Sequence, residues 1–294
     1  MLPSLFSDDL FLKAENLQNT NSFKVRPAAG QILSLTEDQL HRGLVTSSSG
    51  NFGQAAAYVA SLVGCGLQVV MTRNSHPLKV ALTRRWGAEV IFCDNHFGAR
   101  QTRVEEIESS RGATQIHPFN HPNAILGNAS LGLEVVEQYA EMRHLVVPIS
   151  GGGLISGAAL GAKLLNPAIQ VWGVQPQGSN ATYLSFRAGQ VLSVEKTETI
   201  ADGLRVNQPG ELTFSLIQEY VDSVVTVSEQ SILEAVAHFF QTEKLVVEPS
   251  GAVGLAAVLE GLIPAQNTVL VLSGGNLDPG LLQDPLSSSV GQNF

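Results

Sequence analysis

Four short segments carry residue types that could do chemistry. Asn21-Ser22-Phe23-Lys24 sets one of only six lysines beside an aromatic ring, in a stretch with few other charges. Such surroundings lower an amine's pKa and favour condensation with a carbonyl. Ser47-Ser48-Ser49-Gly50-Asn51 offers backbone N–H groups, hydroxyls and a side-chain amide. That set suits a carboxylate and, through Asn51, a phenolic oxygen. Val146-Val147-Pro148-Ile149-Ser150-Gly151-Gly152-Gly153-Leu154 reads as strand, glycine loop and helix start. Its unpaired N–H groups and the positive end of the helix dipole make a phosphate cradle. It is neither GxGxxG nor a Walker loop, since no lysine follows the glycines. Ser273-Gly274-Gly275-Asn276 adds one neutral hydroxyl. Taken singly, these segments equally describe a surface lysine, an N-cap or a tight turn.

The elements around them decide otherwise. Short apolar runs alternate with Ala-rich segments at helical spacing, the pattern of an α/β fold with a mainly parallel sheet. The spacing predicts strands over 43–46, 67–72, 89–93, 144–149, 170–174, 223–227 and 268–272. Helices are expected over 53–63, 76–86, 97–110, 131–142, 154–165, 229–242 and 251–260, with Ser228 and Ser250 as N-caps. Residues 241–248 read as a helix end leading into a strand or turn. Three predicted strands end in serine-glycine turns, and in an open parallel sheet ligands bind beyond the strands' carboxyl ends. The turns can therefore share one crevice. An amine, a phosphate cradle, an amide donor and a lone hydroxyl in one crevice suit pyridoxal 5'-phosphate.

Composition excludes other classes. Of the 294 residues, 44% are hydrophobic and 15% charged, as in a globular chain with a sizeable core. A net charge of −9 and the lack of a basic stripe argue against nucleic acid or anionic membrane as partners. The longest uncharged apolar stretch, residues 251–259, is too short to span a bilayer, and the N-terminus lacks a signal peptide's basic region. Cys65 and Cys93 have no metal or redox spacing, so two buried free thiols in a reducing cytoplasm are expected. His117 and His121 flank a proline-containing loop without further ligands, so no metal site is expected there.

With these motifs in hand, the chain resembles the threonine/serine dehydratase family of fold-type II pyridoxal-phosphate enzymes, which includes serine racemase. The resemblance rests on Leu12 to Gln18 followed by Ser22-Phe23-Lys24, on Ser48-Ser49-Gly50-Asn51, and on Gly151-Gly152-Gly153-Leu154. Thr199 to Gly203, Pro209 to Thr213, Glu248 to Ala252 and Leu272 to Asn276 follow in the family's order. The resemblance implies two open α/β domains, a large one of residues 1–36 and 119–294 and a small one inserted at 37–118. It implies Lys24 as the Schiff-base lysine, with Phe23 beside the cofactor ring. Asn51 would meet the phenolic oxygen, Gly151, Gly152, Gly153 and Leu154 the phosphate, and Ser273 the ring nitrogen. The substrate carboxylate would lie on Ser48, Ser49, Gly50, Asn51 and Phe52.

The implied reaction is loss of water from L-threonine or L-serine, giving a 2-oxo acid and ammonia, in a homodimer or larger assembly. The alternative is racemization, for which Ser49 aligns with the racemases' second base; Gln175, however, aligns with their metal-binding glutamate. Whether a monovalent or divalent cation binds stays open. The chain starts late by the family's standard and ends without a regulatory domain, as in catabolic single-module members. Asn21 and Pro27 replace two glycines of the lysine motif, Ser150 replaces the first of four glycines, and Phe52 stands where His or Ala is common.

Overall fold

Two mainly parallel sheets, built from interleaved parts of the chain, set the architecture. The computed structural model describes residues 1–282 other than Ser49, His76, His96 and Phe97. The strands are Leu2–Pro3 (β1), Leu10–Lys13 (β2), Leu44–Ser47 (β3), Leu67–Thr72 (β4), Glu89–Cys93 (β5), Thr114–Gln115 (β6), His144–Pro148 (β7), Gln170–Pro176 (β8), Ser223–Val227 (β9) and Thr268–Val271 (β10). Six of them form a sheet in the order β1-β2-β10-β7-β8-β9, parallel except for the β1–β2 pair. The other four form a parallel sheet in the order β5-β4-β3-β6. Because β3 to β6 fall between β2 and β7 in the chain, the smaller sheet is an insertion into the larger unit. The fold is therefore α/β with two parallel-sheet domains, as the sequence predicts.

The helices are Val25–Ile32 (α1), Glu37–Arg42 (α2), Asn51–Val63 (α3), Pro77–Arg85 (α4), Ala99–Arg111 (α5), Pro122–Gln138 (α6), Gly153–Leu165 (α7), Ala181–Ala188 (α8), Glu211–Tyr220 (α9), Glu229–His238 (α10) and Pro249–Leu259 (α11). On one face of the larger sheet, α10 and α11 build a core around Val236, Val253 and Leu270. On the other, α6, α7 and α9 pack around Leu131, Ile155 and Ile217. All of α11 but Leu259 is buried, which accounts for its apolar run from Gly251 onward. Among the described residues, no helix is long and apolar enough to cross a membrane.

Several elements depart from expectation for local reasons. Helix α6 starts at Pro122, nine positions before the predicted Leu131. Pro122 occupies the first helical position, where a missing N–H costs nothing, and the His121 side chain accepts from Asn123 N–H. Ser228 caps α10, accepting from Ser231 N–H. Ser250 does not cap α11; that position belongs to Glu248, and the Ser250 hydroxyl accepts from Gly203 N–H instead. The helices predicted from 76 and 97 run as α4 and α5, their first predicted residues lying outside the described ones. β2, α1, α2, α8 and α9 add elements that the periodicity did not mark.

Helix α1, which follows Lys24, is anchored by charge and by close approach. A Cβ on Gly30 would lie 2.3 Å from Asn123 O, and one on Gly127 2.2 Å from Arg26 O, so only glycine lets α1 and α6 approach this closely. Arg26 donates to both carboxylate oxygens of Glu15 at 2.8 and 2.9 Å and to both of Glu134 at 2.7 and 2.6 Å. Lys13 adds a second cation at 2.6 Å from Glu134. The Arg26 hydrogen bonds, with Lys13 behind them, hold the Glu134 carboxyl at about 2. Its folded pKa is depressed, so the stability it contributes is complete above the ordinary 4.5 and is lost as pH falls toward 2. Glu15 is 3% exposed and would be left with a buried, uncompensated charge in Arg26→Ala. Breaking a buried pair in this way costs about 3–5 kcal/mol, so chemical denaturation of Arg26→Ala should show a loss of that size.

Candidate active site

The lysine loop is stitched to the end of β10. Phe23 N–H donates to Ser273 O at 3.0 Å, Gly275 N–H donates to Asn21 O at 2.9 Å, and Ser22 pairs with Gly274 in an isolated antiparallel bridge. Both departures from the lysine motif fit this geometry. Asn21 has φ of 53°, the left-handed region that glycine favours and asparagine tolerates best among the rest. Pro27 is the third residue of α1, where the backbone N–H would have no helical partner.

Lys24 therefore stands at the head of α1, at the wall of a cavity of about 660 Å³. Its amine lies deep among protein atoms yet faces that cavity, and it donates to Pro118 O at 3.2 Å. The Phe23 ring centroid is 4.8 Å away and that of Phe52 5.8 Å. Burial pulls the amine down to about 8 against a smaller opposing pull from Glu248. About a tenth of the amine is then neutral at pH 7, far more than for an ordinary lysine, as a nucleophile or base requires.

The glycine loop borders the same cavity. Gly152 has φ of 96°, and a Cβ there would lie 2.8 Å from Thr213 Oγ1. Cβ atoms on Gly151 and Gly153 would run into Phe119 at 2.5 and 2.7 Å. The Thr213 hydroxyl donates to Gly151 O at 2.6 Å, which pins the loop from α9. The loop leads into α7, whose N-terminus brings unpaired N–H groups and the positive dipole end to the cavity.

Ser48, Gly50, Asn51 and Phe52 line the cavity from the head of α3, and Ser48 Oγ accepts from Gly53 N–H at 3.0 Å. Ser49 lies outside the described residues. Asn51 is held at both ends: its Oδ1 accepts from Asn276 at 2.8 Å, and its Nδ2 donates to Glu248 Oε1 at 2.7 Å. Ser273 is 5% exposed and lines the cavity from the end of β10, with its hydroxyl 3.4 Å from Ser250 O. The structure thus brings together Phe23, Lys24, Ser48, Gly50, Asn51, Phe52, Gly151, Gly152, Gly153, Leu154 and Ser273.

Residues beyond these share the cavity. His117 is neutral near pH 7, its ring pushed to about 4 by burial and, less, by Lys24 and His121. Its Nδ1 accepts from Phe119 and Asn120 N–H, so the ring shapes the loop whose Pro118 and Phe119 touch Lys24 and the glycines. Lys79 of α4 pairs with Asp202, bridging the two sheets at the cavity wall. Glu248 is the residue sequence reasoning passed over. It stood inside a recognised motif, but a carboxylate before a proline looks like the end of a loop, and only folding buries it against Asn51.

The profile of the family described as "Pyridoxal-phosphate dependent enzyme" matches residues 2–274. This chain belongs to that family. It is 39% identical over 283 residues to an L-threonine ammonia-lyase of Thermotoga maritima, covering 96% of this chain and 71% of that protein. It is also 39% identical over 295 residues to a serine racemase of Arabidopsis thaliana, covering 98% and 89%. The structure of maize serine racemase superposes with a TM-score of 0.90 at 37% identity, covering 95% of this chain and 86% of that one. The family's cofactor is pyridoxal phosphate, and the residues present fit it. A glycine cradle that any Cβ would fill, a helix N-terminus, a desolvated amine and a buried neutral hydroxyl supply the contacts such a molecule needs.

Proposed function

We propose that this protein is a dehydratase that removes water from L-threonine, L-serine or both, releasing a 2-oxo acid and ammonia. The observation that carries the reading is the half-buried Lys24 amine, lowered to about 8, in one cavity with the glycine cradle and the Ser48–Phe52 loop. Pyridoxal phosphate, when bound, supplies an aldehyde for an amine to join and an electron sink for the bond broken at the substrate's α carbon. Gly151, Gly152, Gly153 and Leu154 would hold its phosphate, Asn51 its phenolic oxygen and Ser273 its ring nitrogen.

The head of α3 would take the substrate carboxylate on its free N–H groups. Lys24 Nζ then accepts the α-proton, and the β-hydroxyl departs with a proton as water. Hydrolysis of the enamine left behind yields the 2-oxo acid and ammonia. Ser273 is a hydroxyl and carries no proton acidic enough to charge a ring nitrogen, which favours prompt loss of the β-hydroxyl over return of the proton to carbon. Residues 37–118 would form the small domain that closes the cavity against the larger one. A reducing cytoplasm suits the free thiols of Cys65 and Cys93, and a homodimer or larger assembly is the expected form.

Serine racemase is the second reading, favoured by relatives of both names at the same identity. It would make Ser49 the base opposite Lys24. Against it, the position of the racemases' metal-binding glutamate holds Gln175, a buried neutral amide whose Oε1 accepts from Tyr183 N–H at 2.8 Å. The deciding assay gives the cofactor-loaded protein L-serine and L-threonine separately and follows 2-oxo acid and D-amino acid in the same tubes. Oxo acid in large excess over D-isomer is expected. D-serine as the main product would overturn the dehydratase reading.

A further inference from the structure

Helix α11 begins with a carboxylate that does not cap it. Glu248 holds the N-cap position, and the backbone serves the helix: its carbonyl accepts from Gly251 and Ala252 N–H at 2.8 and 3.2 Å. The side chain turns away, 6% exposed, to the cavity wall. There Oε1 accepts from Asn51 Nδ2, while Oε2 makes no hydrogen bond among the described residues. Room for this arrangement depends on Gly274, where a Cβ would lie 2.3 Å from Glu248 Oε1 and 3.1 Å from Asn51 Nδ2. At the other end of Asn51, Asn276 donates to Oδ1 and is itself tied to Thr20 O at 3.0 Å. The Asn276 donor forces the far end of the Asn51 amide to be the NH₂ group. One of its hydrogens is spent on Glu248, and the other stays available to the cavity.

We propose that Glu248 is a positioning residue, which fixes the Asn51 amide as a donor toward the cavity. The assignment rests on the reading of Asn51 as the partner of the cofactor's phenolic oxygen. A bond to a carboxyl oxygen aims the Asn51 amide whether that carboxyl is charged or neutral, so geometry alone leaves the protonation state to the surroundings. Burial opposes the anion most, and Asp202 on the neighbouring turn adds repulsion. The Asn51 hydrogen bond, Lys79 from α4 and Lys24 from the head of α1 favour the anion and are outweighed, leaving the carboxyl at about 7.

The test compares Glu248→Gln, which keeps an acceptor oxygen and is neutral at every pH, with Glu248→Leu, which removes it. Equilibrium titration with pyridoxal phosphate, followed by absorbance without substrate, is expected to give Glu248→Gln an affinity within about threefold of wild type. Glu248→Leu should bind at least about tenfold more weakly, the loss of one well-made hydrogen bond to a buried partner. A second reading uses the cofactor-free protein. The folded pKa is raised, so wild type loses stability as pH rises from 4.5 through 7. The melting temperature of Glu248→Gln should accordingly gain on wild type across that window. Equal binding losses in Glu248→Gln and Glu248→Leu would show that an acceptor oxygen at this position is not what aims Asn51 and overturn the proposal. So would wild-type affinity in Glu248→Leu, or a constant gap in melting temperature. Because neither readout uses turnover, a protein that binds the cofactor yet releases no 2-oxo acid would refute the dehydratase reading alone.

Discussion

Replacing Lys24 by methionine should lower 2-oxo acid release by at least about 10³-fold, the scale on which enzymes lose rate when a proton-transferring nucleophile is removed. Methionine keeps most of the side chain's length and apolar stem, so the loop geometry should survive. The contacts that fix the loop are backbone ones, from Phe23 to Ser273 and from Gly275 to Asn21, and they do not involve the amine. Lys79, the other lysine at the cavity, is engaged with Asp202 and is not placed to substitute. The same variant should gain stability when the cofactor is absent. A lysine lowered to about 8 from 10.5 binds fewer protons folded than unfolded between those values. Wild-type stability therefore carries a cost below pH 8 that fades as pH rises toward 10.5. The gain for Lys24→Met is about 2 kcal/mol below pH 8, less than the full shift would give because the amine faces an open cavity. Melting curves of the cofactor-free proteins at pH 7 and pH 10.5 check this, and an equal gain at both would contradict it.

Gly152→Ala should weaken cofactor binding by at least about tenfold, since a left-handed conformation costs a side chain about 1–2 kcal/mol. The position is strained for alanine at φ of 96°, and the new methyl would press on Thr213 Oγ1 and on Ile217 Cδ1 at 2.9 Å. Thr213 is the group that pins Gly151, so the methyl and the pin compete for one space. Relief comes by moving the loop, which displaces the N–H groups of the cradle. Titration with pyridoxal phosphate reads the effect directly. Turnover per bound cofactor should recover at saturation, because Lys24 and the head of α3 are untouched. Unchanged affinity would mean that this loop does not hold the phosphate.

Much of this site is legible in the sequence because its parts are local. Gly151 to Leu154 declare a strand-to-helix turn by composition, and the run Ser47 to Asn51 declares another, so both helix heads can be placed without knowing the fold. β7, β8 and β10 are apolar runs of ordinary strand length and were read nearly to their ends. What escaped depends on contacts far along the chain. β2 is the four residues Leu10–Lys13 and becomes a strand by pairing with β10, more than 250 residues away. Helix α1 carries a proline at its third position and a glycine at its sixth, both poor marks for a helix in isolation. The glycine is there because α6 must touch it. Pro122 is ambiguous for a related reason, since the same residue that breaks a helix interior suits its first turn. Glu248 lies inside a recognised motif, but nothing local tells what its carboxylate does. Its meaning lies in burial and in Asn51, 197 positions earlier.

The most direct test of the site is chemical trapping. Purified protein loaded with pyridoxal phosphate is reduced with borohydride, digested, and its phosphopyridoxyl-lysine located by mass spectrometry. The expected result is a single label on the peptide carrying Lys24, lost in Lys24→Met. A label on Lys79 or any other lysine, or a stable complex that borohydride does not fix to the chain, would contradict the account.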